Sequence, residues 1–364
     1  MKKTVISLII LNMLFGGNLD QQLKIAGENA HQIKKAISGV PKEQRAGMEW
    51  LIKNMQKEDL RSLSAEFLLT NCELAYDVWQ NNKWGKKIPE DIFLNFLLPY
   101  VSLNERRDNW RQDFHNRFST IIKNTSSIYD AVALLNQNIY DNVGVIYSTD
   151  RPKADQSPYE SIDAGMASCT GLSILLIDAC RSVGIPARFV GTPLWYNNSG
   201  NHSWVEIWDD EWHFTGAAEP TGEKLNEAWF SDMASKAVQG DMTYGIFAAT
   251  WEKTDIYFPM NWLPQVKTYN AIDVTARYRL EEVETVLIPI RVRALDSSGQ
   301  RCEVKVTVIG DDNSIKEGFS KDKTCDANDH LTFMLPKGKT FKVQSKEVEK
   351  TIKVVNEELI DLKL

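Results

Sequence analysis

The sequence predicts an α+β protein, because three stretches of its 364 residues differ in hydrophobic pattern. Apolar residues recur at helical spacing through residues 18–125, and helical and strand patterns mix through residues 126–270. Apolar and polar residues alternate through residues 271–364. A chain of this length with 43% hydrophobic residues is too long for one typical core. We therefore expect several domains, with boundaries near these changes of pattern.

The first 17 residues have the features of an export signal. Two lysines precede an apolar run over residues 4–15, and small residues follow, ending at Gly17 near a cleavage site. The run is too short to span a membrane comfortably. Asn18 stands where a lipoprotein would need a cysteine. We therefore predict a secreted or periplasmic protein with a cleaved signal peptide 1–17 and no membrane span thereafter; a retained anchor is the alternative.

Residues 18–125 are predicted to be helical throughout. Pro41, Ser64 and Pro89 each begin a helical pattern, since proline is favoured in the first turn and serine at the cap. We expect a helical support packed against the rest of the protein, the alternative being that its aromatic residues line a substrate groove. The charged segment around Arg111 is expected to be a solvated helix face, with ion pairs across the domain boundary as the alternative.

Residues 126–270 contain two predicted helices and then three predicted strands. The helix over 128–140 is amphipathic, whereas the helix over 170–183 is apolar around much of its circumference and should be deeply buried. Gly184, followed by isoleucine and proline, ends the second helix. Turns rich in glycine, serine, asparagine and acidic residues separate the strands, which are predicted at residues 187–191, 202–208 and 212–215.

Residues 271–364 are predicted to form a β-sandwich, because short alternating segments are joined by Ser-Gly, Asp-Asp and Lys-Gly turns. Cys302 and Cys325 lie here and can either form a disulfide or stay free. The total of five cysteines is odd, which leaves at least one free thiol in an exported chain. Cys72 and Cys180 lie in helical apolar patterns and are expected to be buried thiols.

Cys169 is the residue best placed for covalent chemistry. It lies where a small-residue stretch meets the apolar helix, so the positive end of the helix dipole should favour its thiolate. A cysteine in this position can also be a packing residue. His202 favours the catalytic interpretation, because it opens a predicted strand and shares an aromatic-walled face with Trp204. His213, just past the hairpin, is expected to be a half-buried structural residue.

A cysteine nucleophile with a histidine base needs an orienting group and donors for the developing oxyanion. Glu219 follows the third strand and is the predicted orienting carboxylate, whereas the acidic hairpin turn at 209–211 is expected to be solvated. The backbone N–H of Cys169 is one expected oxyanion donor. The other is an upstream side chain, for which the candidates are Gln156, Tyr159 and Ser168.

Tryptophans near the predicted site suggest a substrate-binding surface. Trp195 and Trp204 are predicted to contact the substrate, and with Trp208 they could wall an acyl-binding tunnel. Packing inside the core is the alternative for at least two of these three rings.

Charge and metal-ligand spacing exclude several classes of function. The net charge of −7 and the pI near 5.4 come without a basic stripe, so we expect neither nucleic acid nor an anionic membrane as a partner. The sequence has no Cys-x-x-Cys or His-x-x-x-His spacing and no acidic calcium loop, so no metal is predicted. Thiol chemistry of this kind needs no cofactor.

Three motifs, in this order, resemble the core of the transglutaminase-like superfamily. The first two, a cysteine opening a central helix and a GIPAR segment, lie in SIDAGMASCTGLSILLIDACRSVGIPARFVGTP; the third, H-x-W-x-E followed by an acidic-Pro-Thr, lies in NHSWVEIWDDEWHFTGAAEPT. The resemblance covers about residues 128–221. It implies a papain-like arrangement with Cys169 as nucleophile, His202 as base and Glu219 as orienting acid. The family usually has aspartate in the last role, and the segment before Glu219 is longer here.

The signal-like start and this resemblance together imply an exported thiol-dependent acyl-transfer enzyme that cleaves an amide or peptide bond through a thioester on Cys169. Hydrolysis is the expected outcome, because the superfamily contains many peptidase-like members. The expected partner is a peptide or protein substrate, with or without a linked glycan. Two alternatives stay open: a protein-crosslinking transglutaminase, and a non-catalytic scaffold that binds peptide or glycan.

Overall fold

A computed structural model describes residues 18–279, 286–311, 314–325 and 329–364. The chain divides into two compact units, Met1–Arg279 and Leu280–Leu364. Helices come first, a mixed core follows and strands end the chain, which confirms the predicted α+β class. The predicted signal peptide, residues 1–17, lies outside the described residues.

The first part of the larger unit is mainly helical, as predicted, but residues 97–110 form no helix, so the prediction of helix throughout was wrong there. Its described helices are α1 (Leu19–Ala26), α2 (Ala30–Gly39), α3 (Arg45–Asn54), α4 (Lys57–Ser62), α5 (Ala65–Asn81), α6 (Glu90–Phe96) and α7 (Arg111–Phe118). Ser64 caps α5 by accepting the N–H of Phe67. Aromatic side chains here pack on one another, as where Trp79 stacks on Phe93 at 4.0 Å, which favours a support over an open groove.

The charged segment before α7 is not the solvated face that its composition predicts. Arg111 is buried and donates to the backbone carbonyls of residues 97–99, which offsets part of its desolvation. Burial lowers the pKa of its guanidinium to about 9. Arg107 forms an ion pair with Asp59 at 2.9 Å. These cations belong to the core of the larger unit, where carbonyls and one carboxylate replace water.

The second part of the larger unit places one buried helix against an antiparallel sheet. Its elements are α8 (Ile128–Val143), β1 (Ile146–Tyr147), α9 (Pro158–Ala164), β2 (Met166–Ala167), α10 (Cys169–Ser182), β3 (Ala187–Thr192), β4 (His202–Asp209), β5 (Glu211–Thr215), α11 (Ser231–Ser235), β6 (Phe247–Ala249) and β7 (Ala271–Asp273). The sheet order is β5-β4-β3-β6-β7, and β1 pairs with β2 in parallel. Helix α10 packs against β3 and β4 on one side and against α7 and α8 on others.

Helix α10 begins and ends one residue earlier than the sequence predicts. Each of its residues after Cys169 is buried. Gly184 takes a φ of 83°, and the N–H of Ile185 returns to the carbonyl of Cys180 at 2.9 Å, which closes the helix as a glycine stop should. Because the rest of the helix is enclosed, its first residue is held rigidly.

The smaller unit has two sheets that share one apolar core. Its described strands are β8 (Leu287–Leu295), β9 (Lys305–Gly310), β10 (Ile315–Phe319), β11 (Leu331–Pro336), β12 (Thr340–Ser345), β13 (Val348–Lys353) and β14 (Glu358–Lys363). The sheet orders are β10-β9-β12-β13 and β11-β8-β14. Ile290 from one sheet and Val308 from the other lie in the same buried cluster, the packing expected of a sandwich.

All five cysteines are free thiols. Cys302 and Cys325 therefore form no disulfide with each other, and both are free thiols. Cys72 and Cys180 are buried as expected, and burial raises the pKa of the Cys72 thiol to about 12. Such thiols are poor nucleophiles at neutral pH.

Candidate active site

Cys169 is the first residue of α10 and lies on the wall of an open cleft. Ser168 caps the helix, because its hydroxyl accepts the N–H of Thr170 at 3.1 Å and of Gly171 at 3.3 Å. The N–H of Cys169 itself belongs to the first turn, where helical N–H groups have no intrahelical acceptor. The thiol is partly exposed while the following turn is buried. Cys169 is thus both fixed and accessible.

His202, at the start of β4, lies beside the Cys169 thiol. Burial alone would raise the pKa of the thiol, but the neighbouring imidazole and the backbone N–H groups of Ser203 and Thr170 lower it below its usual value. Burial likewise disfavours imidazolium, yet the neighbouring Cys169 thiol and Glu219 carboxylate raise the pKa of His202 to about 9. Both shifts favour a thiolate beside an imidazolium.

Glu219 approaches the other side of the His202 ring. Oε2 of Glu219 lies 3.5 Å from Nε2 of His202, which is long for a hydrogen bond, and this buried nitrogen has no hydrogen-bond partner among the described residues. The contact is an ion pair when the imidazole is protonated.

A tight turn carries Glu219 to this position. The N–H of Glu219 donates to the carbonyl of Gly216 at 3.1 Å, and Ala218 between them has a φ of 62°, an uncommon conformation for a residue with a Cβ. A Cβ on Gly216 would lie 2.3 Å from Oε2 of Glu219. Glycine at 216 therefore leaves the space into which the carboxylate folds back toward the imidazole.

The side chain of Asn136, on α8, forms hydrogen bonds with this turn. Its side-chain amide donates to Oγ1 of Thr215 at 2.9 Å and to the carbonyl of Gly216 at 2.8 Å, and its oxygen accepts the N–H of Ala218 at 2.9 Å. Only 2% of Asn136 is exposed. Three hydrogen bonds in a buried site fix the backbone that leads to Glu219.

Trp229 covers the outer side of the histidine–glutamate contact. Its indole N–H donates to Oε2 of Glu219 at 2.8 Å, and its ring centroid lies 5.0 Å from that of His202. Trp229 is 59% exposed, so it shields the contact at the protein surface. Neither Trp229 nor Asn136 lies in a recognisable motif, so the sequence did not predict their places in this site.

Trp195 and Trp204 lie behind the imidazole and away from the cleft lining. Trp204 is fully buried and stacks 5.9 Å from His202, and Trp195 is 3% exposed and stacks on Trp204. Phe230 completes this apolar packing at 4.8 Å from the histidine ring. Their burial favours packing around His202, and direct contact of Trp195 and Trp204 with a substrate stays an unsupported prediction.

A buried polar network fixes Trp204. Its indole N–H donates to the hydroxyl of Tyr278 at 2.8 Å, and that hydroxyl donates to Oε1 of Glu206 at 2.7 Å. Glu206 also accepts from Arg188 of the neighbouring strand β3 at 2.7 Å, so the buried carboxylate is fully paired. The glutamate of the H-x-W-x-E motif is thus a structural residue that supports the histidine face.

The three proposed oxyanion side chains are engaged elsewhere. The Ser168 hydroxyl donates to the carbonyl of Ala154 at 2.7 Å, and the amide of Gln156 donates to the carbonyls of Glu160 and Met166. The hydroxyl of Tyr159 donates to Asp113 at 3.2 Å. Of the two expected oxyanion donors, the backbone N–H of Cys169 is therefore the one that the structure favours.

His213 is half-buried, as expected, and does not join the catalytic group. Its Nδ1 lies 2.9 Å from the side-chain amide of Asn226, and its ring packs edge-on against Tyr129 at 5.2 Å. Among the five histidines, His202 is the one that the fold brings to Cys169.

The cleft beside Cys169 has a volume of about 280 Å³. Tyr147, Arg151, Asn261 and Trp262 contribute to its walls. Asn261 also lines a neighbouring groove of about 560 Å³ with largely apolar walls.

Metal ligands do not cluster in the described part of the chain, where no group of three or more histidine, cysteine or acidic side chains is arranged to hold an ion. A separate finding concerns membranes: no helix among the described residues combines the length and apolar character needed to cross one.

A family model described as the transglutaminase-like superfamily matches residues 116–216. These residues form a transglutaminase-like core. The match includes Cys169 and His202, and it ends before Glu219. The match therefore agrees with the family resemblance of the segments around Cys169 and His202. It gives no information on Glu219, whose position is known from the structure alone. A search of curated proteins finds no significant match.

Solved structures also show local similarity to this chain. A Cytophaga hutchinsonii protein provisionally described as a cysteine protease has 21% identity and a TM-score of 0.26 over 31% of this chain and 38% of that one. Red sea bream transglutaminase has 10% identity and a TM-score of 0.26 over 79% of this chain and 60% of that one. A C-terminal fragment of the pilus adhesin SpaC from Lactobacillus rhamnosus GG has 11% identity and a TM-score of 0.19 over 49% and 87%. The chain thus spans less than two thirds of the first and second of these proteins.

Proposed function

We propose that this protein is a thiol-dependent acyl-transfer enzyme with Cys169 as nucleophile, His202 as general base and acid, and Glu219 as orienting carboxylate. One observation carries the proposal: the partly exposed Cys169 at the start of α10 lies beside a buried histidine whose Nε2 is 3.5 Å from the carboxylate of Glu219. The lowered pKa of Cys169 and the raised pKa of His202 support the same roles.

The proposed reaction has two steps. The Cys169 thiolate attacks the carbonyl carbon of an amide, and the tetrahedral oxyanion accepts the Cys169 backbone N–H. The imidazolium of His202 gives its proton to the leaving amine, the C–N bond breaks and a thioester remains. Water then attacks the thioester, His202 takes the water proton, and the thiolate leaves as the carboxylic acid forms. Glu219 stabilises the imidazolium in both steps.

Hydrolysis is the outcome we favour over transfer to an amine. Cys169 is partly exposed on the wall of an open cleft, so water reaches a thioester there directly. The neighbouring groove that shares Asn261 suits an extended substrate, which is consistent with the protein or peptide substrates that a transglutaminase-like core implies. Crosslinking would use the same thioester, with a primary amine replacing water.

Thiol reactivity tests the proposal before any substrate is known. Iodoacetamide labelling at pH 6, followed by mass mapping of the modified peptide, should modify Cys169 faster than Cys302, which is also partly exposed. Labelling of Cys169 should slow in His202→Ala, while Cys302→Ser should leave the Cys169 rate unchanged. Labelling of Cys169 no faster than of Cys302 would favour the non-catalytic scaffold.

We also propose export, on the charged and apolar start of the sequence. Expression of the full chain in a bacterium with a secretory pathway, followed by fractionation and N-terminal sequencing, tests this. A mature chain that begins near Asn18 outside the cytoplasm is expected; an uncleaved cytoplasmic chain would contradict it.

A further inference from the structure

The cleft beside Cys169 has one basic side chain and no carboxylate on its described walls. The basic side chain is Arg151, and other lining residues include Tyr147, Asn201 and Asn261. A guanidinium that lines a cleft without a carboxylate partner attracts anions.

Arg151 has no counter-ion in the part of the chain that the structure describes. Its Nη1 donates to the carbonyl of Thr149 at 2.9 Å, and no described carboxylate lies within 4.0 Å of its guanidinium. Two acids of the same region have other partners: Asp155 accepts from Asn104, and Glu160 pairs with Lys153 at 2.9 Å. Asp150 precedes Arg151 in the chain, and its carboxylate forms no ion pair with it. Most of the guanidinium donors are therefore available to a ligand.

The loop that carries Arg151 is tied to the nucleophile. The N–H of Ser148 donates to the carbonyl of Ala167 at 3.0 Å. At the other end of the loop, the Ser168 hydroxyl donates to the carbonyl of Ala154 at 2.7 Å. Ala167 and Ser168 directly precede Cys169, so the loop holding Arg151 has a fixed position relative to the thiol.

We propose that Arg151 binds a carboxylate of the acyl donor and makes the enzyme selective for acidic peptide substrates. The inference rests on the proposed function and names the substrate class of the same site. A planar guanidinium presents paired donors that match the two oxygens of a carboxylate, and this pairing gives both affinity and orientation. The carboxylate can be an acidic side chain or the C-terminus of a short peptide.

Binding to an inactive full-length chain tests this without any turnover. The Cys169→Ala chain is titrated against four fluorescein-labelled hexapeptides of one backbone, and fluorescence anisotropy is read. One peptide has a central glutamate, the second glutamine and the third lysine, all three with an amidated C-terminus. The fourth has glutamine and a free C-terminal carboxylate. We expect a carboxylate peptide to bind about tenfold or more tightly than the glutamine amide, as a charge-assisted hydrogen bond allows. If the glutamate peptide binds more tightly than the peptide with a free C-terminus, the carboxylate recognised is a side chain; the reverse order identifies the C-terminus.

The variants decide whether Arg151 is responsible. Arg151→Gln should remove the preference for carboxylate, and Arg151→Glu should reverse it toward the lysine peptide. Lys153→Gln removes the same charge from the same loop but outside the cleft, and it should keep the preference. Raising the ionic strength should reduce the preference in the parent chain.

Equal binding of all four peptides, no binding of any, or a preference that survives Arg151→Gln would overturn the proposal. Its failure is separable from that of the proposed function, because iodoacetamide labelling of Cys169 needs neither Arg151 nor a peptide. Fast labelling of Cys169 with no preference for carboxylate peptides would overturn only the proposed substrate class. Binding of carboxylate peptides without fast labelling of Cys169 would overturn only the proposed enzymatic function.

Discussion

Oε2 of Glu219 lies 3.5 Å from Nε2 of His202. The contact brings the turn that carries Glu219 against His202, the first residue of β4. The imidazole therefore lies between the Glu219 carboxylate and the neighbouring Cys169 thiol. The carboxylate is 31% exposed, whereas the imidazole is buried. The histidine therefore depends on one partly solvated group for its orientation and for the stability of its charged form.

Replacing Glu219 by glutamine should slow acylation and leave the fold intact. The amide keeps the size of the side chain but loses the charge that stabilises imidazolium, so we expect kcat/KM to fall by about 100-fold, the usual scale of acid–base assistance. Hydrolysis of a responsive amide substrate measures this. Glu211→Gln, on the exposed hairpin, is the matched control and should have no effect. Unchanged turnover in Glu219→Gln would place the orienting group elsewhere.

The pH dependence should report the thiolate–imidazolium pair. The pKa of Cys169 is lowered and that of His202 is raised to about 9, so both charges coexist between the two values. We expect kcat/KM to rise as the pH passes the lowered pKa of Cys169 and the thiolate forms, and to fall as the pH passes about 9, because His202 then lacks the proton for the leaving amine. A single rise at the pKa of an ordinary thiol would contradict the pairing.

Asn136→Leu should reduce turnover more than substrate binding. The substitution leaves the N–H of Ala218 and the carbonyl of Gly216 without their buried partner, so we expect a loss of about 2–3 kcal/mol in the free energy of unfolding. The displaced turn should lower kcat and shift the alkaline limb of the pH profile toward lower pH, with little change in KM.

Asn138→Leu is the control for that variant, since Asn138 lies exposed on the same helix and bonds only within it. Chemical denaturation and steady-state kinetics separate the two effects. A stability loss with an unchanged kcat and pH profile would make Asn136 a structural residue without a positioning role.

Trp229→Phe should weaken the histidine–glutamate contact at small cost in stability. Phenylalanine keeps an aromatic ring beside His202 but removes the N–H that donates to Glu219 at 2.8 Å. Because Trp229 is largely exposed, we expect the free energy of unfolding to change by less than about 1 kcal/mol. The rate of Cys169 alkylation at pH 6 should fall several-fold. An unchanged rate would show that the tryptophan only covers the site.

Local pattern was enough to predict that Cys169 lies at the start of a helix. Small residues followed by an apolar run give a capped helix start at Cys169, and Gly184 gives its end, because caps and glycine stops act within one turn. The strand beginning at His202 was likewise predictable from alternation within eight residues. These features depend on neighbours in sequence.

Contacts between distant residues were not predictable in the same way. Asn136 precedes the turn that it holds by some eighty positions, and a single asparagine on a helix gives no sign of its partners. Trp229 lies in a segment without periodicity. Arg111 lies in a charged segment whose composition predicts a solvated face. It is nevertheless buried against backbone carbonyls that only the packed helices bring together.

The sequence by itself determined the α+β class, the helical support, the core elements and the positions of Cys169 at a helix start and His202 at a strand start, because periodicity, caps and motifs are local properties. Only the tertiary structure decided that Glu219 reaches His202, that Trp195 and Trp204 pack behind the imidazole, and that Arg151 faces the cleft. Those outcomes depend on which surfaces become buried together when the chain closes, and no local pattern encodes that choice.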